Sequence, residues 1–188
     1  MKKRVVALTG ISGVGKTTFL RKLSATREFQ HLTGGTLIAA AREKGSDARD
    51  SLRHADLEEN QRLLIQGFAL EKDPNANLIV MDGHVVIDNN SGLARISSTV
   101  FEAIYVSSML HLEADPVRIF KNRSEDTSRS RPAWDVETLA HHQEASREHA
   151  RYIARSLQID FCALSHGGQS LAADLLALKN NNSFAGLK

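Results

Sequence analysis

The stretch RVVALTGISGVGKTTFL, residues 4–20, decides the fold. Its first part, Arg4–Thr9, is a largely apolar run without alternation, which is typical of a strand buried on both faces of a parallel sheet. After the glycines, Phe19, Leu20 and Leu23 recur at helical spacing. The stretch therefore predicts a strand, a glycine-rich turn and a helix in direct succession.

The turn, Gly10-Ile11-Ser12-Gly13-Val14-Gly15-Lys16-Thr17, matches the phosphate-loop pattern G-x-x-x-x-G-K-[ST]. Glycines let backbone N–H groups turn inward around phosphate oxygens, and the helix N-terminus adds a partial positive charge. In this pattern the lysine reaches the β- and γ-phosphates and the hydroxyl ligates Mg²⁺. A nucleoside triphosphate with Mg²⁺ is thus predicted to bind Gly10, Ser12, Gly13, Val14, Gly15, Lys16, Thr17 and Thr18.

Strand-like and helix-like segments alternate along the rest of the chain. Strands are predicted at Leu78–Met81, Leu110–Glu113 and Ile159–Leu164. Helices are predicted at Lys16–Thr26, at Leu57–Lys72, around Thr99 and Glu102, from Asp115-Pro116, at Val136–Leu157 and at Leu171–Leu178. Asp115 and Asp135 are the expected N-caps of two of these helices. This order predicts an α/β fold with helices on both faces of a parallel sheet and right-handed crossovers.

Length and composition fit one domain with its own core. The chain has 188 residues, of which 41% are hydrophobic. The 24 basic and 22 acidic residues leave a net charge of +2, which argues against a nucleic-acid coat, and the single cysteine, Cys162, excludes an internal disulfide framework. No apolar run is long enough for a membrane helix. We expect a cytoplasmic protein that needs neither membrane nor nucleic acid, while its oligomeric state, a homo-oligomer included, stays open.

The motifs separate the classes of nucleoside triphosphatase. The sequence has neither the Asn-Lys-x-Asp nor the Asp-x-x-Gly motif of a GTPase, and it is short for a mechanical ATPase. A small kinase remains, and it needs an acid for Mg²⁺ and positive charge on the transferred phosphate. Asp82 follows a predicted strand and is the expected acid. A charged run suits a lid that closes on phosphates: Arg118, Lys121, Arg123, Glu125, Asp126, Arg129 and Arg131.

Segments along most of the chain resemble the archaeal-type adenylate kinases, a branch of the P-loop nucleoside monophosphate kinases. Besides the phosphate loop, these are Gly35-Thr36, Ala41–Gly45, Ala48–Arg53, Val80–His84, Leu112–Pro116, Asp126–Arg131, and His142-Gln143-Glu144 with Arg147. The resemblance implies a P-loop three-layer fold with a five-stranded parallel sheet. It also implies one kinase domain over residues 1–188, with an acceptor-binding insert at about 34–73 and a lid at about 121–135.

The resemblance also implies roles for single residues. Thr36 is expected near the acceptor base or sugar, Arg53 on the acceptor phosphate, and Asp82 with Thr17 at Mg²⁺. Lys16, Arg129 and Arg131 are expected on the transferring phosphoryl group, with Arg123 as a further lid residue. His84 is expected either to orient Asp82 or to contact the acceptor.

Two segments depart from the family pattern. Pro132-Ala133-Trp134 stands where the lid should pass quickly into its helix, and Val85–Arg95 replaces a proline-containing turn after Asp82. Because the second region helps to hold the acceptor, the identity of the acceptor stays open. Arg95 adds a positive charge there and is a second expected clamp for the acceptor phosphate.

The reaction implied is ATP + nucleoside monophosphate → ADP + nucleoside diphosphate. Two alternatives stay open at the level of sequence. One is a kinase for a small metabolite, in which Asp82 acts as the base for a hydroxyl acceptor. The other is an ATP-dependent switch, such as a ribosome-assembly factor, with slow hydrolysis and a macromolecular partner.

Overall fold

A computed structural model describes residues 4–44, 57–89, 92–126 and 132–165. Their elements, in chain order, are β1 (Arg4–Thr9), α1 (Lys16–Leu23), β2 (Gln30–Thr33), α2 (Gly34–Lys44), α3 (Leu57–Glu71), β3 (Leu78–Asp82), β4 (Val86–Asn89), β5 (Gly92–Arg95), α4 (Ser98–Ala103), β6 (Val106–Leu112), α5 (Pro116–Glu125), α6 (Val136–Ser156) and β7 (Asp160–Leu164).

The main sheet has five parallel strands in the order β2-β3-β1-β6-β7, which confirms the predicted sheet. β1 lies in the middle, hydrogen-bonded to β3 on one side and to β6 on the other. The chain thus crosses to opposite sides of β1, and ligands of such sheets bind at the carboxyl ends of the strands where the direction reverses.

Both faces of the sheet are buried, as the apolar character of β1 predicts. Val5 and Ala7 belong to one core cluster, whereas Val6 and Leu8 belong to the other, because successive strand residues point to opposite faces. One face is covered mainly by α2, α3, α4 and part of α6, and the other by α1, α5 and the start of α6. The result is a three-layer arrangement of helices, sheet and helices.

Capping residues begin the later helices where the sequence predicts them. The Asp115 carboxylate accepts a hydrogen bond from the Val117 N–H at 2.8 Å, with Pro116 as the first helical residue. The Asp135 carboxylate accepts one from the Thr138 N–H at 2.7 Å. These side chains satisfy backbone donors that a helix start otherwise leaves unpaired.

Several elements differ from the predictions. β2 and α2 were missed, because β2 is a short, partly polar edge strand. The antiparallel β4–β5 hairpin was missed as well. β6 begins at Val106 rather than at Leu110, and α1 ends at Leu23. The predicted helix Leu171–Leu178 lies outside the described residues.

Helices α2 and α3 pack closely in the region expected to form the insert. A Cβ atom at Gly67 would lie 1.9 Å from the Leu37 carbonyl oxygen, so only glycine permits this approach. Arg42 Nη2 also donates to Asn60 Oδ1 at 2.9 Å. None of the helices in the described parts of the chain combines the length and the apolar character needed to cross a membrane.

Candidate active site

The phosphate loop follows β1 directly and leads into α1. Gly10, Gly13 and Gly15 have φ values of 142°, 89° and 98°, a region that residues with a Cβ atom rarely adopt. The Val14 N–H donates to the Ile11 carbonyl at 3.3 Å and tightens the turn. Thr17 and Thr18 are exposed at the start of α1, where hydroxyls are accessible to a ligand.

The Lys16 ammonium group is held inside the loop. Its Nζ donates to the Gly10 carbonyl at 2.9 Å and the Ile11 carbonyl at 3.4 Å, and it lies 3.9 Å from Asp82 Oδ1. Only 8% of the residue is exposed. A buried charge needs such partners, and these hold the ammonium inside the loop.

Asp82 ends β3 beside the loop, as predicted. Its side chain is 12% exposed, and Oδ2 lies 3.6 Å from His31 Nε2 on β2. Mg²⁺ prefers oxygen ligands and in kinases takes only one or two from the protein, the rest coming from phosphates and water. The Asp82 carboxylate and the Thr17 hydroxyl therefore fit the chemistry of a magnesium site.

A cavity of about 200 Å³ opens beside the loop. The loop, the β4–β5 hairpin, α5 and the start of α6 all contribute to its wall: Ile11, Ser12, His84, Val86, Ile87, Asp88, Leu93, Arg123, Pro132 and His142. The His84 Nδ1–H donates to the Gly10 carbonyl at 2.8 Å, so His84 contacts the loop itself.

The end of α5 packs against the opposite side of the loop. Arg123 Nη1 donates to the Ser12 carbonyl at 3.5 Å, and a Cβ atom at Gly13 would lie 2.6 Å from Arg123 Cγ. Asn122 Nδ2 donates to the Gly13 carbonyl at 2.8 Å. The predicted cation Arg123 thus lies at the phosphate loop.

Comparison with known proteins identifies the family of the chain. The family described as "AAA domain" matches residues 9–140. The adenylate kinase of Thermoplasma acidophilum is 31% identical over 76% of this chain and 79% of its own. That of Sulfurisphaera tokodaii is 33% identical over 72% of this chain and 76% of its own. The chain belongs to the adenylate kinase family.

Membership in the adenylate kinase family confirms the resemblance and makes the protein a phosphotransferase of the nucleoside monophosphate kinase class. Among solved structures, shikimate kinase from Bacteroides thetaiotaomicron superimposes with a TM-score of 0.54 at 14% identity, covering 93% of this chain and 99% of that one. At this identity the likeness concerns the fold alone, which is the P-loop α/β fold.

Some of the predicted site residues lie away from the cavity or outside the described residues. Arg95 is exposed on β5, opposite Val86, and does not line the cavity. Thr36 hydrogen-bonds with Thr33 at the start of α2: its N–H donates to Thr33 Oγ1 at 3.2 Å, and its hydroxyl donates to the Thr33 carbonyl at 2.9 Å. Arg53, Arg129 and Arg131 lie outside the described residues, and all these assigned roles stay predictions.

Other residues near the site were missed by sequence reasoning. Asp88 and Trp134 are hydrogen-bonded to each other beside the cavity, and the only signal for Trp134 was its departure from the family pattern. The Gln143 side-chain amide bonds both backbone groups of Ala114: its oxygen accepts from the Ala114 N–H, and its nitrogen donates to the Ala114 carbonyl, each at 3.0 Å. Its place in the helix segment that resembles the family was the available clue.

A buried histidine lies beyond the loop. His111 on β6 is fully buried, with Nδ1 2.9 Å from Thr9 Oγ1, and its Nε2 has no hydrogen-bond partner among the described residues. Burial lowers the pKa of His111 from 6.5 to about 3, and the positive charges of Lys16 and Arg147 act in the same direction. The imidazole is therefore neutral at neutral pH.

Proposed function

We propose that the protein transfers the γ-phosphoryl group of ATP to AMP, with Mg²⁺, giving two molecules of ADP. The observation that carries this proposal is the convergence of Lys16, Asp82 and Arg123 on one phosphate loop with a cavity beside it. The choice of AMP is supported by two relatives named adenylate kinase, each aligned over more than two thirds of both chains.

The donor nucleotide occupies the loop in this proposal. The backbone N–H groups between Gly10 and Thr17 and the N-terminus of α1 attract phosphate oxygens. Thr17 and Asp82 would hold Mg²⁺, and the ion would neutralise charge on the phosphates of the donor. The Lys16 ammonium exchanges its loop carbonyls for phosphate oxygens, which are stronger partners because they are charged.

The acceptor lies between the insert and the cavity. Helices α2 and α3 and the start of the β4–β5 hairpin border this side of β3. Arg53 is the expected partner of the acceptor phosphate and Thr36 of its nucleoside part. Arg129 and Arg131 are expected to join Arg123 on the transferring group.

The chemistry then consists of positioning and charge neutralisation. An acceptor phosphate oxygen forms a bond to the γ-phosphorus while the bond to the β-phosphate oxygen breaks. That acceptor oxygen is already anionic, so no side chain has to remove a proton. Neither Asp82 nor His84 is therefore assigned the role of a base.

A coupled assay tests the proposal directly. ATP and Mg²⁺ are combined with AMP, CMP, UMP, GMP, dTMP or a non-nucleotide alcohol such as shikimate, and also with no acceptor. We expect AMP to give the highest kcat/KM. A preference for an alcohol indicates a metabolite kinase instead, and hydrolysis that no acceptor stimulates indicates an ATPase switch; either result overturns the proposal.

Lys16→Ala provides the first prediction. We expect kcat to fall about 100-fold or more, since a cation aimed at developing charge contributes on this scale. The matched control is Lys22→Ala, which removes an exposed lysine from the same helix. Circular dichroism should show an intact fold in both variants. Near-normal turnover of Lys16→Ala contradicts the proposed mechanism.

A further inference from the structure

Three hydrogen bonds hold the wall of the cavity beside the phosphate loop, two of them to carbonyls of the loop itself. His84 donates to the Gly10 carbonyl at 2.8 Å on one side. Arg123 donates to the Ser12 carbonyl at 3.5 Å and to the Pro132 carbonyl at 2.9 Å on the other. Both ends of this wall are thereby attached to the loop.

A side-chain hydrogen bond links the two halves of the wall. The indole N–H of Trp134 donates to the Asp88 carboxylate, joining the segment before α6 to the hairpin 46 positions earlier in the chain. Trp134 also packs against the core cluster that contains α1 and α5, and His142 meets its ring edge-on at 5.5 Å between centroids. The indole is thus fixed on the core side and presents its donor to the hairpin.

The hairpin needs such an attachment. β4 and β5 form a separate two-stranded sheet, and an isolated pair of strands is marginally stable in water. Its base is held, because Val85 and Ile96 are buried and the Ile96 N–H donates to the Val85 carbonyl at 2.9 Å. Further along β4, Ile87 is 38% exposed, and the Asp88 carboxylate bonds the strand to Trp134.

We propose that the hydrogen bond between Trp134 and Asp88 is a positioning contact that holds the β4–β5 hairpin over the phosphate loop and keeps water out of the cavity where the phosphoryl group is transferred. The proposal rests on the proposed function, since it concerns the same site. A kinase must favour its acceptor over water, and a closed wall achieves this. In this proposal both residues act through the position of the hairpin, and neither is assigned a contact with the reacting atoms.

Breaking the contact has a specific chemical consequence. When the hairpin moves away, water reaches the γ-phosphorus of bound ATP. The bond to the β-phosphate oxygen breaks, a bond to the water oxygen forms, and the products are ADP, inorganic phosphate and a proton released to solvent. The loop and Lys16 are unchanged, so ATP still binds. Acceptor-free hydrolysis should therefore rise while the KM for ATP stays the same.

The variants separate the contact from general damage. Trp134→Phe keeps an aromatic ring and removes the donor, and Asp88→Ala removes the acceptor. Asp88→Asn is the conservative variant, because its amide oxygen still accepts a hydrogen bond. Glu102→Ala is the matched control, an exposed carboxylate on α4 away from the cavity. The fifth variant is the double change Asp88→Ala with Trp134→Phe.

Acceptor-free ATP hydrolysis at saturating ATP is the main measurement. We expect Asp88→Ala and Trp134→Phe each to raise it about tenfold, the factor that one hydrogen bond contributes to an equilibrium. The double variant should equal either single variant, since only one contact is lost. Asp88→Asn and Glu102→Ala should stay near the wild-type rate. Unchanged hydrolysis in Asp88→Ala, or effects that multiply in the double variant, overturns the proposal.

Fluorescence tests the contact without any turnover. Trp134 is the only tryptophan in the sequence, so intrinsic emission reports on this residue alone. We expect acrylamide to quench it more strongly in Asp88→Ala than in the wild type, with Asp88→Asn close to the wild type. Equal quenching in all three means that the contact does not shield the indole, and it overturns the proposal.

The two proposals can fail separately. If no nucleoside monophosphate is phosphorylated, the proposed function fails, while hydrolysis and quenching still decide the role of the contact. If AMP is phosphorylated but the variants hydrolyse ATP as the wild type does, only the positioning role fails. Should Trp134→Phe not fold, because its ring packs on the core, Asp88→Ala and Asp88→Asn still give the answer.

Discussion

Two buried side chains near the site, Lys16 and His111, have surroundings of different charge. The Lys16 ammonium is buried, and two loop carbonyls and the Asp82 carboxylate surround it. His111 is also buried, but it has no anionic partner among the described residues, and its imidazole is neutral. These opposite outcomes depend on the groups facing each side chain.

The lowered pKa of His111 predicts a loss of stability in acid. The unfolded chain binds a proton near pH 6.5, whereas the folded protein binds it only near pH 3. The free energy of unfolding therefore falls as the pH drops from 6.5 toward 3, by about 1.4 kcal/mol for each pH unit. Urea unfolding between pH 7 and pH 4 should show a shallower slope in His111→Gln.

The control for this measurement is His141→Gln, an exposed histidine on α6. Its slope should match that of the wild type, because the carboxylates that also titrate in this range are common to all three proteins. If His111→Gln loses stability as steeply as the wild type does, another group causes the acid sensitivity.

At the scale of elements, local geometry at helix ends and helix contacts determines which residues are tolerated. Helix α6 ends in a Schellman motif, with hydrogen bonds from the Gln158 N–H to the Arg155 carbonyl at 3.1 Å and from the Ile159 N–H to the Ala154 carbonyl at 3.0 Å. Gln158 has a φ of 54°, where glycine is the usual residue. Gly67 is the reverse case, a glycine that close packing requires.

Gln158→Gly should stabilise the protein. A residue with a Cβ atom is strained at this φ, and glycine removes that strain. Glycine also gives the unfolded chain more conformational entropy, which offsets part of the gain in stability. We expect the free energy of unfolding to rise by about 0.5–1 kcal/mol, measured in urea. Gln158→Ala, which retains a Cβ atom, should show no gain. An equal gain in both variants assigns the effect to the lost side chain instead.

Gly67→Ala should destabilise the contact between α2 and α3. The new methyl group would lie 1.9 Å from the Leu37 carbonyl oxygen, which forces the helices apart. We expect a loss of about 2 kcal/mol or more in urea unfolding and a higher KM for the acceptor. The control is Gly35→Ala, since a Cβ atom there meets nothing within 4 Å. Similar losses at both positions contradict the role assigned to this packing.

At the scale of the whole molecule, strand order assembles the site. β1 lies between β3 and β6, so the loop after β1, Asp82 at the end of β3 and the helix that follows β6 meet at one edge of the sheet. Arg123 reaches the loop from that helix. Donor and acceptor sites are therefore expected to share one wall.

This arrangement predicts the response to a bisubstrate analogue that joins two adenosines through a chain of phosphates. It should raise Tm more than ATP or AMP alone, because it occupies both sites at once. At 100 times its Kd the stabilisation is about 2.7 kcal/mol, or roughly 5–10 °C in Tm for a chain of this size. A shift no larger than that of ATP contradicts an acceptor site next to the loop.

The phosphate loop, β1, the start of α1 and the caps at Asp115 and Asp135 followed from the sequence alone. Their conformations depend on neighbours within a few positions: glycines, a helix N-terminus and capping side chains. The parallel sheet was predictable too, because strands buried on both faces are largely apolar, as β1 and β3 are. The position of Asp82 beside Lys16 was also predictable, since the carboxyl ends of parallel strands lie at the same end of the sheet, while its role at Mg²⁺ stays a prediction.

Only the tertiary structure decided which distant side chains meet around the cavity. No local pattern marks Asp88 and Trp134 as partners, because they lie 46 positions apart and the polar hairpin gave no periodic signal. The exposure of Arg95 and the burial of His111 likewise depend on what packs above them. Short-range backbone chemistry determines the loop that binds phosphate, whereas contacts between distant elements determine the cavity beside it.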